Sequence, residues 1–150
     1  MTARMPTSKP YLLDVNVLIA LSDPAHVQHE LAHDWFAAHG QHAWATCPIT
    51  QNGLLRIVGH ARYPNSPGTP AAVASTLASL CALPGHVFWP DDISLTDAKY
   101  IDPSRLLSSS QVTDSYLLAL ACAHDGQLAT FDRKLVVNAV SDGAQALCLI

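Results

Sequence analysis

No apolar run in this chain of 150 residues approaches the roughly 18 needed to cross a bilayer, so no membrane partner is expected. The opening stretch MTARMPTSKP has no apolar h-region, which argues against a secretory signal. Residues 1–9 read as a loose lead-in and residues 10–150 as one domain. Cysteine is sparse: Cys47, Cys81, Cys122 and Cys148 are far apart, with no C-x-x-C and no zinc-finger spacing. Their apolar surroundings suggest reduced core residues in a cytoplasmic protein. Charge is scarce too, at 13% of residues with a formal net charge of −4. Bulk electrostatics therefore do not advertise nucleic-acid binding, although a bound divalent cation reverses the field locally. There is no G-x-S-x-G, no P-loop and no G-x-G-x-x-G, which leaves serine nucleophiles and nucleotide cradles unsupported. His29 and His33 are four apart in a predicted helix, but no third ligand is in view, and they read as a solvated helix face.

What is present is core. Hydrophobic residues make up 49% of the chain, and a chain of this length buries about two-thirds of its unfolded surface. Short apolar strands alternate with helices. The segments YLLD, AWATCP, HVFW, QLATF and ALCLI read as strands. Helices are expected over NVLIALS, over residues 25–39 (with Leu31, Trp35 and Phe36 on the apolar side), over ITQNGLLRIVGH, from Thr69–Pro70 to about Ala82, and over VTDSYLLALACAHDG, which Gly126 ends. ARYPNSPG and most of residues 91–111 read as loops, and RKLVVNAV as a short helix or turn. The strands are continuously apolar, as in a parallel sheet covered on both faces. The fold class is α/β, a three-layer α/β/α sandwich with a roughly five-stranded, mainly parallel sheet. Sites in such folds lie outside the carboxyl ends of the strands.

Three aspartates fall at such ends. Asp14 closes YLLD, Asp132 follows QLATF, and Asp114 opens the helix SYLLALACA. Carboxyl ends of parallel strands share an edge with the N-termini of the following helices, so all three can converge. Helix capping explains any one of them. A cap is Asp about one time in three, so three together by chance is on the order of one in thirty. Clustered carboxylates repel unless a cation neutralises them, and oxygen-only clusters suit Mg²⁺ or Mn²⁺. The chemistry implied is metal-assisted hydrolysis of a phosphoester.

LLDVNVLIAL, CPITQNGLLRIV, FWPDD and VTDSYLLALACAHDGQLATFDRKL together resemble a PIN domain of the VapC type, over about Pro10 to Ile150. Those domains are the ribonuclease toxins of bacterial toxin–antitoxin pairs. The resemblance implies a Mg²⁺- or Mn²⁺-dependent endoribonuclease, a homodimer, and a cognate antitoxin that blocks the acidic pocket. It assigns Asp14, Asp114 and Asp132 as metal ligands and catalytic residues, with Asn16 and Thr130 as supporting neighbours. Many PIN domains carry Glu where this chain has Gln51. A neutral amide can position a water but adds no charge, so weaker binding of any second metal is expected.

Arg133 and Lys134, or Arg56 and Arg62, are candidates for contact with RNA phosphates, against the plainer reading of solvated surface charge. Trp44 and Trp89 read as core. Two rivals stand beside the nuclease. One is a phosphohydrolase with an aspartyl-phosphate intermediate, which needs a second carboxylate where Asn16 stands. The other is an inactive PIN-fold module that binds RNA or a protein partner, supported by Gln51.

Overall fold

The computed structural model describes residues 9–150; the lead-in expected at residues 1–9 falls, up to residue 8, outside the described residues. Five strands form one all-parallel sheet: β1 (Tyr11–Leu13), β2 (Trp44–Thr46), β3 (His86–Phe88), β4 (Gln127–Thr130) and β5 (Leu147–Leu149), in the order β3-β2-β1-β4-β5. β1 is central and the strand order reverses there, the point at which open α/β sheets form a crevice. The α/β expectation therefore holds.

Helices cover both faces. α1 (Val15–Ser22), α2 (His29–Ala38), α3 (Pro48–Val58) and α4 (Pro70–Cys81) share a core with Leu13, Trp44 and Ala129. α5 (Val112–Ala123) and the four-residue α6 (Gly143–Ala146) lie on the other face with Leu12, Ala45 and Leu128. Adjacent residues of one strand enter opposite cores, because side chains alternate across a sheet. That is why these strands are apolar throughout.

Several boundaries differ from expectation, each for a local reason. α2 begins at His29 and not near residue 25, because residues 26–28 are tied into turns by His26 N→Asp23 O and Gln28 N→His26 Nδ1 bonds. Leu31 is 49% exposed, and Ala32 and Phe36 supply the buried side of that helix. His29 and His33 are not a free polar face. Their ring nitrogens sit 2.7 Å and 3.3 Å from the Ala20 and Leu21 carbonyl oxygens, capping the last turn of α1. Residues 133–139 form turns without a helix. Among the cysteines only Cys47 is fully buried; all four are free thiols.

α5 does not end on Gly126. Its left-handed terminal residue is Asp125, at φ 54°, and Gly126 N donates to Ala121 O at 2.8 Å. Glycine is required at 126 for space: a Cβ there would lie 2.5 Å from the Pro10 carbonyl oxygen and 2.9 Å from the Trp89 ring. Trp89 is buried, and stacks on His124 at 4.5 Å. Gly126→Ala must therefore push β4 from β1 or displace the indole. The expected cost is about 1–3 kcal/mol, as for overpacking generally. It should appear as a lower urea midpoint at constant m; an unchanged midpoint would show that the strand ends yield freely.

Candidate active site

The strand register brings the polar residues together. Leu12 pairs with Leu128 and Leu13 with Ala129. Asp14 stays extended, at φ −61° and ψ 156°, so the alternation of side chains carries through it. Asp14 and Thr130 then share the parity of Leu12 and Leu128 and face the layer that holds α5. Asp114 lies in the first turn of α5. The sheet edge and one helix start thus bring together residues separated by 116 positions at the widest contact.

Asp14 is 7% exposed and caps α1. Its Oδ1 accepts from Val15 N at 2.7 Å, and its Oδ2 accepts from the Thr130 hydroxyl at 2.8 Å. The direction of the second bond is forced. Thr130 Oγ1 already accepts from Asn16 Nδ2 and from Asp132 N, each at 3.1 Å. Both lone pairs are used, so the one hydroxyl proton goes to Asp14. Asn16 Oδ1 in turn accepts from Phe131 N at 3.4 Å. Asp132 Oδ1 accepts from Lys134 N at 2.9 Å, which turns the chain directly after β4. Asp14, Asn16, Thr130 and Asp132 form one bonded unit.

Asp114 joins this unit by charge and not by a hydrogen bond. It is the third residue of α5, with Gln111 in the cap position, so it does not open the helix as expected. Partial burial, with the Asp14 and Asp132 carboxylates beside it, pushes its pKa up to about 6. Burial also raises Asp14; its bonds from Thr130 and Val15 pull the other way, and Asp132 adds to the rise. Among the described residues none of the three aspartates has an ion-pair partner.

Gln51, in the first turn of α3, bonds to a different partner. Its Nε2 donates to Thr46 Oγ1 at 3.0 Å, and Thr46 Oγ1 also meets His86 Nε2 at 2.8 Å. Thr46 has the parity of Trp44 and faces the α1–α4 layer, away from Asp14. No hydrogen bond links Gln51 to the three aspartates. Thr46 and His86 were missed in the sequence; a threonine ending a strand, as Thr130 does, was the available sign. Gln111 was missed as well. It is buried, donates to Arg105 O and accepts from Leu107 N, so it fastens the preceding loop to the start of α5.

The donor set can be tested against a divalent cation. All three groups are carboxylates, the hard oxygen donors that Mg²⁺ and Mn²⁺ take. Asp132 raises the pKa of Asp14 and of Asp114, and Asp14 raises that of Asp114. Among the described residues the three have no ion-pair partner, and a divalent ion would supply the missing charge. As the side chains stand, no three His, Cys, Asp or Glu groups among the described residues are near enough to grip one ion directly. Mg²⁺ normally retains several waters and needs only one or two direct carboxylates, so the residues fit the ion.

A family model described as PIN domain matches residues 11–140. The chain belongs to the PIN domain family. This PIN domain is 50% identical over 129 residues to Ribonuclease VapC44 of Mycobacterium tuberculosis, covering 86% of this chain and 90% of that protein. It is 43% identical over 128 residues to Ribonuclease VapC39 of the same species, covering 85% and 92%. The crystal structure of Mycobacterium tuberculosis VapC20, a sarcin-ricin loop cleaving toxin, superposes with a TM-score of 0.62 at 12% identity, over 88% of this chain and 97% of that one. VapBC2 from Rickettsia felis, bound to a DNA fragment from their promoter, gives 0.54 at 14%, over 83% and 88%. At those identities the two structures show the shared PIN fold.

The raised pKa of Asp114 has a consequence for metal-free protein. The folded chain keeps this proton where the unfolded chain, with an ordinary value of 3.8, releases it. Stability from this group is therefore fully present below about pH 4 and is lost as pH rises through about 6. In EDTA, melting temperature should fall across that interval, and Asp114→Asn should flatten the fall. An identical pH profile in the variant would show that Asp114 is not strained by its neighbours.

Proposed function

We propose that this PIN domain is a divalent-cation-dependent endoribonuclease that acts in the cytoplasm as the toxin of a type II toxin–antitoxin pair. The observation that carries the reading is the carboxylate trio: three acidic groups at the carboxyl edge of the sheet with no ion-pair partner among the described residues. Kinship supports it, since relatives 43–50% identical over most of their length are named ribonucleases.

Asp14, Asp114 and Asp132 would hold Mg²⁺ or Mn²⁺. When bound, such an ion offsets charge on a phosphodiester and makes water a better nucleophile. The protein's part is orientation. The Thr130 proton and the Val15 amide leave Asp14 only one way to face. Asn16 holds Thr130, and through Phe131 N it sets the chain that carries Asp132. Arg133 and Lys134 follow Asp132 directly and are exposed, which suits them to meet the phosphates on either side of the bond cut. Burial of Asp14 limits competing water.

Asn16 spends its amide nitrogen on Thr130 and has no acidic proton, which disfavours the aspartyl-phosphate rival. Gln51 gives its amide to Thr46, so its neutrality removes no hydrogen bond from the trio. It gives the inactive-module reading little support. The expected partners are an antitoxin that covers the acidic edge and a second copy of the chain. No helix among the described residues is long and apolar enough to cross a membrane.

The test is cleavage of purified RNA by the purified chain with Mg²⁺ or Mn²⁺, read by sequencing the new ends. EDTA should abolish it. Asp14→Asn and Asp114→Asn should each lower the rate by about 100-fold or more, the loss of several kcal/mol of charge stabilisation. Thr130→Ser should retain most activity and Thr130→Val should not, with both still folded by circular dichroism. Full activity of Asp114→Asn would overturn the proposal.

A further inference from the structure

A second feature lies at the far end of α3. That helix starts beside the carboxyl edge, where Cys47 precedes Pro48. Arg56 is in its last turn, about 12 Å along the axis from Pro48 at 1.5 Å per residue. Arg56, Ile57, His60, Arg62, Tyr63 and Pro64 surround a shallow hollow of about 400 Å³. The sequence grouped Arg56 and Arg62 with Arg133 and Lys134 as cations near the active edge; the structure separates the two pairs.

The charged and imidazole side chains that line this hollow are hydrogen-bond donors. Arg56 and Arg62 are exposed, and neither is in an ion pair among the described residues. His60 is less obvious. Its Nδ1 accepts from Arg62 N at 3.0 Å, so Nδ1 is the unprotonated nitrogen and Nε2 carries the hydrogen. No acidic residue lines the hollow. Ile57, Pro64 and the Tyr63 ring supply an apolar floor.

The floor is held in place. Tyr63 Oη donates to Asp23 Oδ2 at 2.5 Å, and Asn65 Nδ2 donates to the same oxygen at 3.3 Å. Asp23 is 5% exposed, and its other oxygen accepts from Ala25 N. Its charge is thus used behind the tyrosine, where it fixes the ring and the loop against the end of α1. A ring fixed beforehand loses little freedom on binding.

We propose that this hollow is a second RNA contact, gripping a phosphate and its adjoining sugar or base away from the bond that is cut. The inference rests on the ribonuclease reading above. A polyanion approaching three carboxylates in a chain of net charge −4 must find its cations outside them. Two arginines and a histidine donor match phosphate oxygens, and a fixed aromatic ring with an apolar floor matches a sugar or an unstacked base. An acidic peptide would engage the cations, and it is the alternative that the experiment must separate.

The test compares the full chain with Arg56→Gln/Arg62→Gln and Arg56→Lys/Arg62→Lys. A labelled 30-nucleotide single-stranded RNA is titrated by fluorescence anisotropy in EDTA, across several salt concentrations. The glutamine variant should bind about 10-fold or more weakly. Its slope of log K against log salt should be shallower by about 1.4, two contacts at roughly 0.7 each. The lysine variant should regain the slope. In cleavage assays KM should rise in the glutamine variant while kcat stays within about twofold. If wild-type chain binds RNA but cuts none, the ribonuclease reading fails and the binding arm still decides this one. Unchanged RNA affinity and slope would overturn the proposal. So would loss of binding to an Asp/Glu-rich peptide while RNA affinity is retained.

Discussion

The hydrogen bond from Thr130 to Asp14 is the interaction on which the candidate site depends. It joins the ends of β1 and β4, the two central neighbours in the sheet, at the point where the strand order reverses. Its direction is fixed because Thr130 has already accepted two hydrogens, from Asn16 and Asp132. A hydroxyl with both lone pairs engaged has a single proton to place. The result is a carboxylate whose orientation is set by groups on both neighbouring strand ends, before any ligand arrives.

That orientation works against electrostatic ease. Asp14 is nearly buried, and Asp114 and Asp132 act on it or are acted on by it with no ion pair to any of the three among the described residues. Such a grouping destabilises the ionised protein, and the raised pKa values of Asp14 and Asp114 express that cost. The surrounding structure has to tolerate it. Leu12, Leu117, Leu118, Leu120 and Leu128 are completely buried between the sheet and α5, and each such side chain contributes about 1.5–3 kcal/mol. The apolar core beneath the site is what lets the edge stay strained.

The chain separates its charges. The carboxyl edge gathers acid, and the end of α3 gathers donors around a ring that Asp23 immobilises. Asp23 and Asp14 are both buried carboxylates at the two ends of α1, yet they differ in consequence. Hydrogen bonds from Tyr63, Ala25 and Asn65 outweigh burial and hold the Asp23 carboxyl below its usual range. Asp14 has two such bonds, fewer than burial and its acidic neighbours require. Deeper burial, fewer hydrogen bonds and acidic neighbours together divide the candidate ligand Asp14 from the structural carboxylate Asp23.

Much of this was legible in the chain itself. Continuous apolar strands alternating with helices determined the α/β class, and the polar interruptions at Asp14, Asp114 and Asp132 marked the edge. The amphipathic helix near residue 30 is less plain in the pattern, because Leu31 faces out while the His29 and His33 rings reach the carbonyls that end α1. Helical periodicity describes one helix at a time and cannot register the carbonyls of another. Likewise, Asp14, Asp114 and Asp132 were all legible at strand or helix ends, but only Asp14 proved to be a helix cap. Gln51 shows the same limit. Its sequence position suggested the acidic pocket, but that it gives its amide to Thr46, which also meets His86, depends on how α3 packs against β2 and β3. Composition, hydrophobic pattern and the position of each carboxylate are local properties, and the sequence alone determined them. Which groups share a proton, which face a side chain takes and which cations stand together depend on register and packing between distant segments, and only the tertiary structure decided those.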